Sequence, residues 1–351
     1  MRLAFLADAS LPHTQRWVRF FVQRQHDCLL LSLEPVADPP CAFVRLPART
    51  WLPPFLRYTT NIGAAARALR DFRPDLVNAH FLPNYGWMAA RLGARPLVST
   101  TLGSDILLVP RRSPLRRWRT RYVLQRSDHV TADAQMLGRA IERFGTPAAR
   151  ILVVPFGIEA ERFATLPPRQ ASPLVVLSTR RLEPVYDVGT LLRAVNRLPR
   201  ERRQSLELRL AGSGSQEGAL RQLHMESPAQ FLGWMRQEDL DEELMRAHVY
   251  VSTSRSDSTS VSLLEAMAAG CLPVVTDIAG NREWIRHEEN GLLFPCGHDE
   301  ALARCLERAA ADAELRARAS AANRKLVQER ASWQRGMQSV EQLFMALEAG
   351  G

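Results

Sequence analysis

Lysine is almost missing from this chain: Lys325 stands alone among 46 basic residues, and all the others are arginine. Such one-sided usage suits carboxylate and phosphate partners, but codon bias produces it as well, so it identifies no ligand by itself. Cysteine is sparse and scattered. Cys28, Cys41, Cys271, Cys296 and Cys305 are an odd set with no Cys-x-x-Cys pair, which excludes a disulfide framework and the usual zinc spacings. Long apolar runs are lacking too. No stretch approaches the roughly 20 residues that cross a bilayer, and Met1 to Ala9 reads as a strand rather than a signal peptide, so a cytoplasmic location is expected. No His or Asp cluster has metal-ligand spacing, so neither a metal nor another cofactor is expected. Repeats, low-complexity tracts, RNA modules and DNA-reading motifs are also absent, and no nucleic-acid partner is expected.

What is present is ordinary globular material: 351 residues, 46% hydrophobic and 24% charged, enough for two domains of about 150 residues each. The net charge of +9 is unevenly shared. Residues 1 to 150 hold 22 arginines against 10 acids, +12 in that half against −3 in the remainder. Short apolar runs alternate with helical patterns throughout, the arrangement of parallel sheets covered by helices on both faces. In the first half the strands are predicted at Arg2 to Asp8, Cys28 to Leu33, Leu76 to His80, Pro96 to Thr101, His129 to Asp133 and Ile151 to Phe156. The proline-bearing stretch Ala164 to Pro173 reads as an interdomain connection. Strands then recur at Leu174 to Thr179, Leu206 to Ala211, Ala229 to Leu232, His248 to Thr253, Pro273 to Asp277 and Gly291 to Phe294. The expected architecture is α/β: an N-terminal Rossmann-like domain over 1–165, a C-terminal one over 174–330, and a terminal helix over 331–351 that packs back on the first. The two face each other across a cleft, since such sheets bind ligands beyond the carboxyl ends of their strands.

The most informative segment is SDSTSVSLLEAMAAG, Ser256 to Gly270, which follows a strand and enters a helix. Ser258, Thr259, Ser260, Ser262 and Leu263 surround the helix start, where backbone N–H groups hold phosphate; Ser262 with Glu265 also fits an ordinary capping box. Downstream of STRRLEPVYDV, the run AGSGSQEGALRQL turns on Gly212 and Gly214, small enough to admit a nucleotide.

Asp257 stands eight residues before Glu265, and here the sequence resembles the retaining glycosyltransferases known as group 1 or family 4, of GT-B architecture. FLGW at Phe231 to Trp234 and GNREW at Gly280 to Trp284 extend the likeness. The resemblance implies that Glu265 accepts hydrogen bonds from the donor ribose, that Asp257, in place of the usual Glu, lies beside the donor sugar, and that Arg180 or Arg181 grips the diphosphate. Tyr186 stands where the family commonly has Lys. Configuration is retained without a metal in that family.

In the first domain, His13 and Arg16 begin the first helix on the acceptor side. TTLGSD, Thr100 to Asp105, resembles the stretch where relatives place a catalytic His; Leu102 stands there, leaving Gly103 and Ser104 to shape the site and Asp105 either to orient a hydroxyl or to cap the loop. His80 is a second catalytic candidate.

Between Pro110 and Tyr122, Arg111, Arg112, Arg116, Arg117, Arg119 and Arg121 interleave with Leu115, Trp118 and Tyr122. Two readings stand: an interfacial helix on an anionic inner membrane face, or a solvated helix whose apolar residues pack into the core. The functional expectation is transfer of a sugar, hexosyl or N-acetylhexosaminyl in type, from a nucleotide diphosphate donor to a glycan or lipid-linked hydroxyl acceptor. A sugar-nucleotide epimerase and a non-catalytic binding protein are the alternatives.

Overall fold

The computed structural model describes residues 1–170, 172–223 and 229–350, so Ala171 in the predicted connection lies outside the described residues. The chain forms two compact units, Met1–Pro155 with the segment from Gln334 onward, and Phe156–Trp333.

The first unit holds a seven-stranded sheet. Its strands are β1 (Arg2–Leu6), β2 (Asp27–Ser32), β3 (Ala42–Arg45), β4 (Leu76–His80), β5 (Leu97–Thr100), β6 (His129–Ala132) and β7 (Ile151–Val153), in the order β3-β2-β1-β4-β5-β6-β7. Every pairing is parallel. Parallel strands are covered on both faces, which is why β1 and β4 are buried almost throughout. β3 was not foreseen, because AFVR is a half-exposed edge strand of only four residues.

The second unit holds six parallel strands: β8 (Leu174–Ser178), β9 (Leu206–Ala211), β10 (Gln230–Gly233), β11 (Val249–Ser252), β12 (Leu272–Thr276) and β13 (Leu292–Phe294), ordered β10-β9-β8-β11-β12-β13. Successive side chains leave opposite faces. Val176, Val249 and Val274 therefore join one core cluster, while Val175, Leu177, Tyr250 and Val275 join the other. Both sheets are Rossmann-like.

The expected boundary at 165 moves. Residues 156–165 belong to the second unit because Phe163 is buried in its core, Ile158 N–H bonds to Ala331, and Arg162 bonds to Asp241 and Glu265. Arg169 donates to the carbonyls of Met245 and Gly270, which ties much of the supposed connection to the same unit. The helix Trp333–Ala349 contributes Phe344, stacked on Phe21 at 5.1 Å, and Glu341, which meets Arg24 at 3.1 Å and His26 at 2.8 Å.

Candidate functional site

In the second unit the segments of interest leave the carboxyl ends of β8, β9 and β11, so strand direction alone gathers them on one rim. Their organiser is Arg180, just past β8. Its Nη1 donates to Ser260 Oγ at 2.6 Å and Ser262 Oγ at 2.8 Å, and its Nη2 to Asp257 Oδ2 at 2.6 Å. The Tyr186 ring lies 4.3 Å from the guanidinium centre, a π face over the cation. Burial works against the Arg180 charge, yet Asp257, Tyr250 and Tyr186 outweigh it and hold the pKa above its ordinary value. Arg180 is thus committed to the loop. Arg181 points outward with 72% of its side chain exposed, and its partner Glu183 is 3.6 Å away.

The helix Val261–Ala268 begins two residues earlier than a Ser262–Glu265 capping box requires. Ser260 is the cap, accepting from Leu263 N–H, while Ser262 Oγ is occupied by Arg180, Tyr250 and Ser260. Leu263 itself is a core side chain. Ser258 N–H bonds to the Asp257 carboxylate at 3.2 Å, and Ser258 and Thr259 are both buried. Glu265 turns away from the cap: its Oε1 accepts from Arg162 at 2.8 Å and Gln237 at 3.2 Å. Gly212 and Gly214 do their work against the protein's own backbone. A Cβ on Gly212 would lie 2.6 Å from Arg180 O, and one on Gly214 would strike the Leu182 backbone. Gly280 holds the same relation to Asp257 O, also at 2.6 Å.

In the first unit, Asp105 is fully buried and its two oxygens accept from Leu82 N–H at 3.2 Å and Leu102 N–H at 3.1 Å. It staples two loops, and of the two roles expected for it the capping one matches this geometry. Burial raises its pKa to about 6 in spite of the backbone donors. The turn it holds contains Phe81 at φ +64°, a strained setting for a bulky residue. His80 is also enclosed, with Trp17 edge-on at 5.3 Å. Asn78 spends its amide hydrogens on Val98 O and Thr100 Oγ1, so its Oδ1 accepts from His80 Nε2 and the imidazole carries its proton there. Burial, then His13, pushes the His80 pKa down to about 3. His13 is lowered by burial as well, with Asp8 opposing. His13 and Arg16 sit in the first turns of the helix Pro12–Gln23; Gly103 has φ +84°, and Ser104 is exposed beside it.

The helix Pro114–Arg126 divides the two readings of the basic stretch. Tyr122 packs on the first core and Arg119 is buried over Trp87, but Leu115 and Trp118 are 60% and 52% exposed, not core residues. Sequence reasoning missed two clusters. One is Arg162 with Asp241, 79 residues away, and Gln237, one helical turn before Asp241; the other is Glu34, met by the hydroxyls of Tyr85 and Tyr58. Only the Gln237–Asp241 step is a local spacing, and it points to neither Arg162 nor Glu265.

Comparison with known proteins follows the same division. The family described as "Glycosyl transferases group 1" matches residues 161–326, and that described as "Glycosyltransferase Family 4" matches 12–162. The amylovoran biosynthesis glycosyltransferase AmsK of Erwinia amylovora is 31% identical over 176 residues, which are 47% of this chain and 43% of AmsK. The chain therefore matches less than half the length of that relative. Among solved structures, sucrose-phosphate synthase from Thermosynechococcus elongatus superposes with a TM-score of 0.86 at 19% identity, covering both chains completely. Anabaena HepE in complex with UDP-glucose gives 0.78 at 18% identity, over 99% of this chain and 100% of HepE. The two matched segments run together from residue 12 to residue 326, so the chain is a glycosyltransferase built of a family 4 domain followed by a group 1 domain.

Proposed function

We propose that this chain transfers a hexosyl or N-acetylhexosaminyl group from a nucleoside diphosphate sugar to a hydroxyl of a glycan or lipid-linked acceptor during glycan biosynthesis, with retention of configuration. The carrying observation is the preset rim of the second unit: an arginine-anchored loop leading into a capped helix, beside an outward-facing guanidinium. Departure of the nucleotide gathers negative charge on the diphosphate, and the exposed Arg181 is the cation assigned to stabilise it. Arg180 and Tyr186 keep that loop in position, Asp257 acts from within it, and Glu265 takes the ribose hydroxyls. Asp105 and His80, both enclosed, shape the first unit from behind; His13, Arg16, Gly103 and Ser104 border the acceptor. Likeness to a protein crystallised with UDP-glucose supports a uridine donor as the first to try.

The test is calorimetric titration with UDP, GDP and ADP, and with their common sugars, repeated on Glu265→Ala. One nucleotide that binds the native chain and not the variant supports the reading, and no binding by the folded native chain overturns it. Anomeric analysis of the product by NMR reads retention directly, and a chelator is expected to leave the rate unchanged.

The exposed Leu115 and Trp118 among Arg111, Arg112, Arg116, Arg117 and Arg121 favour peripheral contact with anionic lipid. Flotation with phosphatidylglycerol vesicles, lost in Trp118→Ser and in 0.5 M salt, is the corresponding measurement.

A further inference from the structure

Glu265 is not held by its own helix. Arg162 reaches it from the turn Ala160–Phe163, on the first stretch of chain inside the second unit. One arm of the guanidinium, Nη1, spans both Asp241 oxygens at 3.1 Å, while Nη2 donates to Glu265 Oε1 at 2.8 Å. Gln237 closes the figure. Its amide donates to Asp241 Oδ1 at 2.9 Å and to the same Glu265 oxygen at 3.2 Å. The turn is braced in its own right: Phe163 is buried in the core, and Arg324 donates to the carbonyls of Phe163 at 3.2 Å and Ala164 at 3.0 Å.

We propose that Arg162 is a positioning residue for nucleotide binding, fixing through Asp241 and Gln237 the rotamer and the ionised state of Glu265. The inference rests on the reading of Glu265 as the acceptor for donor hydroxyls. With Nη1 held by both Asp241 oxygens and Nη2 on Glu265, the guanidinium is pinned between two carboxylates, so the arm that meets Glu265 arrives from one direction. The same cation stands between two carboxylates that also share the Gln237 amide; without it, their mutual repulsion favours a protonated Glu265. A protonated Glu265 accepts less well from a ribose hydroxyl. Arg162 touches no substrate in this scheme and acts only through the carboxylate.

The experiment is a double-mutant cycle read by calorimetry with UDP, GDP and ADP as probes, with thermal melts in parallel. Arg162→Gln weakens binding of the recognised nucleotide about tenfold, Arg162→Lys recovers part of the loss, and the same Arg162→Gln change in a Glu265→Gln background costs less than about twofold. Between pH 5.5 and 8.5 the affinity of Arg162→Gln, relative to the native chain, recovers toward alkaline pH as Glu265 ionises. Equal losses in both backgrounds, or a loss that follows the melting temperature alone and ignores pH, overturn the proposal. So does full affinity in Arg162→Gln where Glu265→Gln is impaired. If Glu265→Gln itself binds normally, the fault lies with the donor reading and the proposal falls with it. Should Arg162→Gln fail to fold, Asp241→Asn releases the far anchor of the same guanidinium and is expected to weaken binding several-fold.

Discussion

Arg180 and Arg181 are chain neighbours with different work, and no local pattern separates them. They stand past the last residue of β8, where the two-residue alternation of a strand no longer dictates which side faces inward. What decides is distant: Asp257, Ser260 and Ser262 accept from the first, and solvent surrounds the second. Arg180→Ala is expected to cost about 3 kcal/mol in urea unfolding, because it strands a part-buried carboxylate and two hydroxyls. Arg181→Ala should leave that unfolding curve unchanged and weaken nucleotide binding about tenfold in calorimetry. Asp105 makes a prediction in pH. Burial raises its pKa from the usual 3.8 to about 6. The folded state therefore holds that proton more firmly than the unfolded one; the stability gained is complete below pH 3.8 and is lost as pH rises through 6. Comparing unfolding free energies at pH 4.5 and pH 7.5, Asp105→Asn should remove a pH-dependent difference of about 2 kcal/mol.

Strands were legible from short apolar runs and from alternation; β4, LVNAH, and β9, where Glu207 and Arg209 alternate with leucines, both fall on their expected residues. Turn and cap chemistry was only half legible. Three serines within five residues offered several caps, and the tertiary pull of Arg180 on Ser260 and Ser262 chose the register. The glycines were found from their turns, and the structure sets their missing side chains against other loops of the same unit. Gly280→Ala tests this, since its Cβ would press on the Asp257 carbonyl. It is expected to lower stability by about 2 kcal/mol and nucleotide affinity together, in melts and titrations on the same sample.

At the scale of the whole molecule the sequence announced two α/β units, but its prolines marked the wrong crossing. The passage lies at Pro155–Phe156, and the return at Trp333–Gln334. Gly157 lies beside both passages. It has φ +60°, a Cβ there would fall 2.8 Å from Ala331 O, and the adjacent Ile158 pairs with Ser332. Removal of residues from Gln334 onward should destabilise the first unit, since Met337, Val340 and Phe344 are buried at about 1.5 to 3 kcal/mol each. Limited proteolysis of the shortened chain is then expected to degrade 1–155 while a fragment near 156–333 persists. The same arrangement orders events during synthesis. The second unit has all its residues once Trp333 has been made, whereas the first, begun earliest, still lacks its closing helix; on the ribosome, the half translated first is the half finished last.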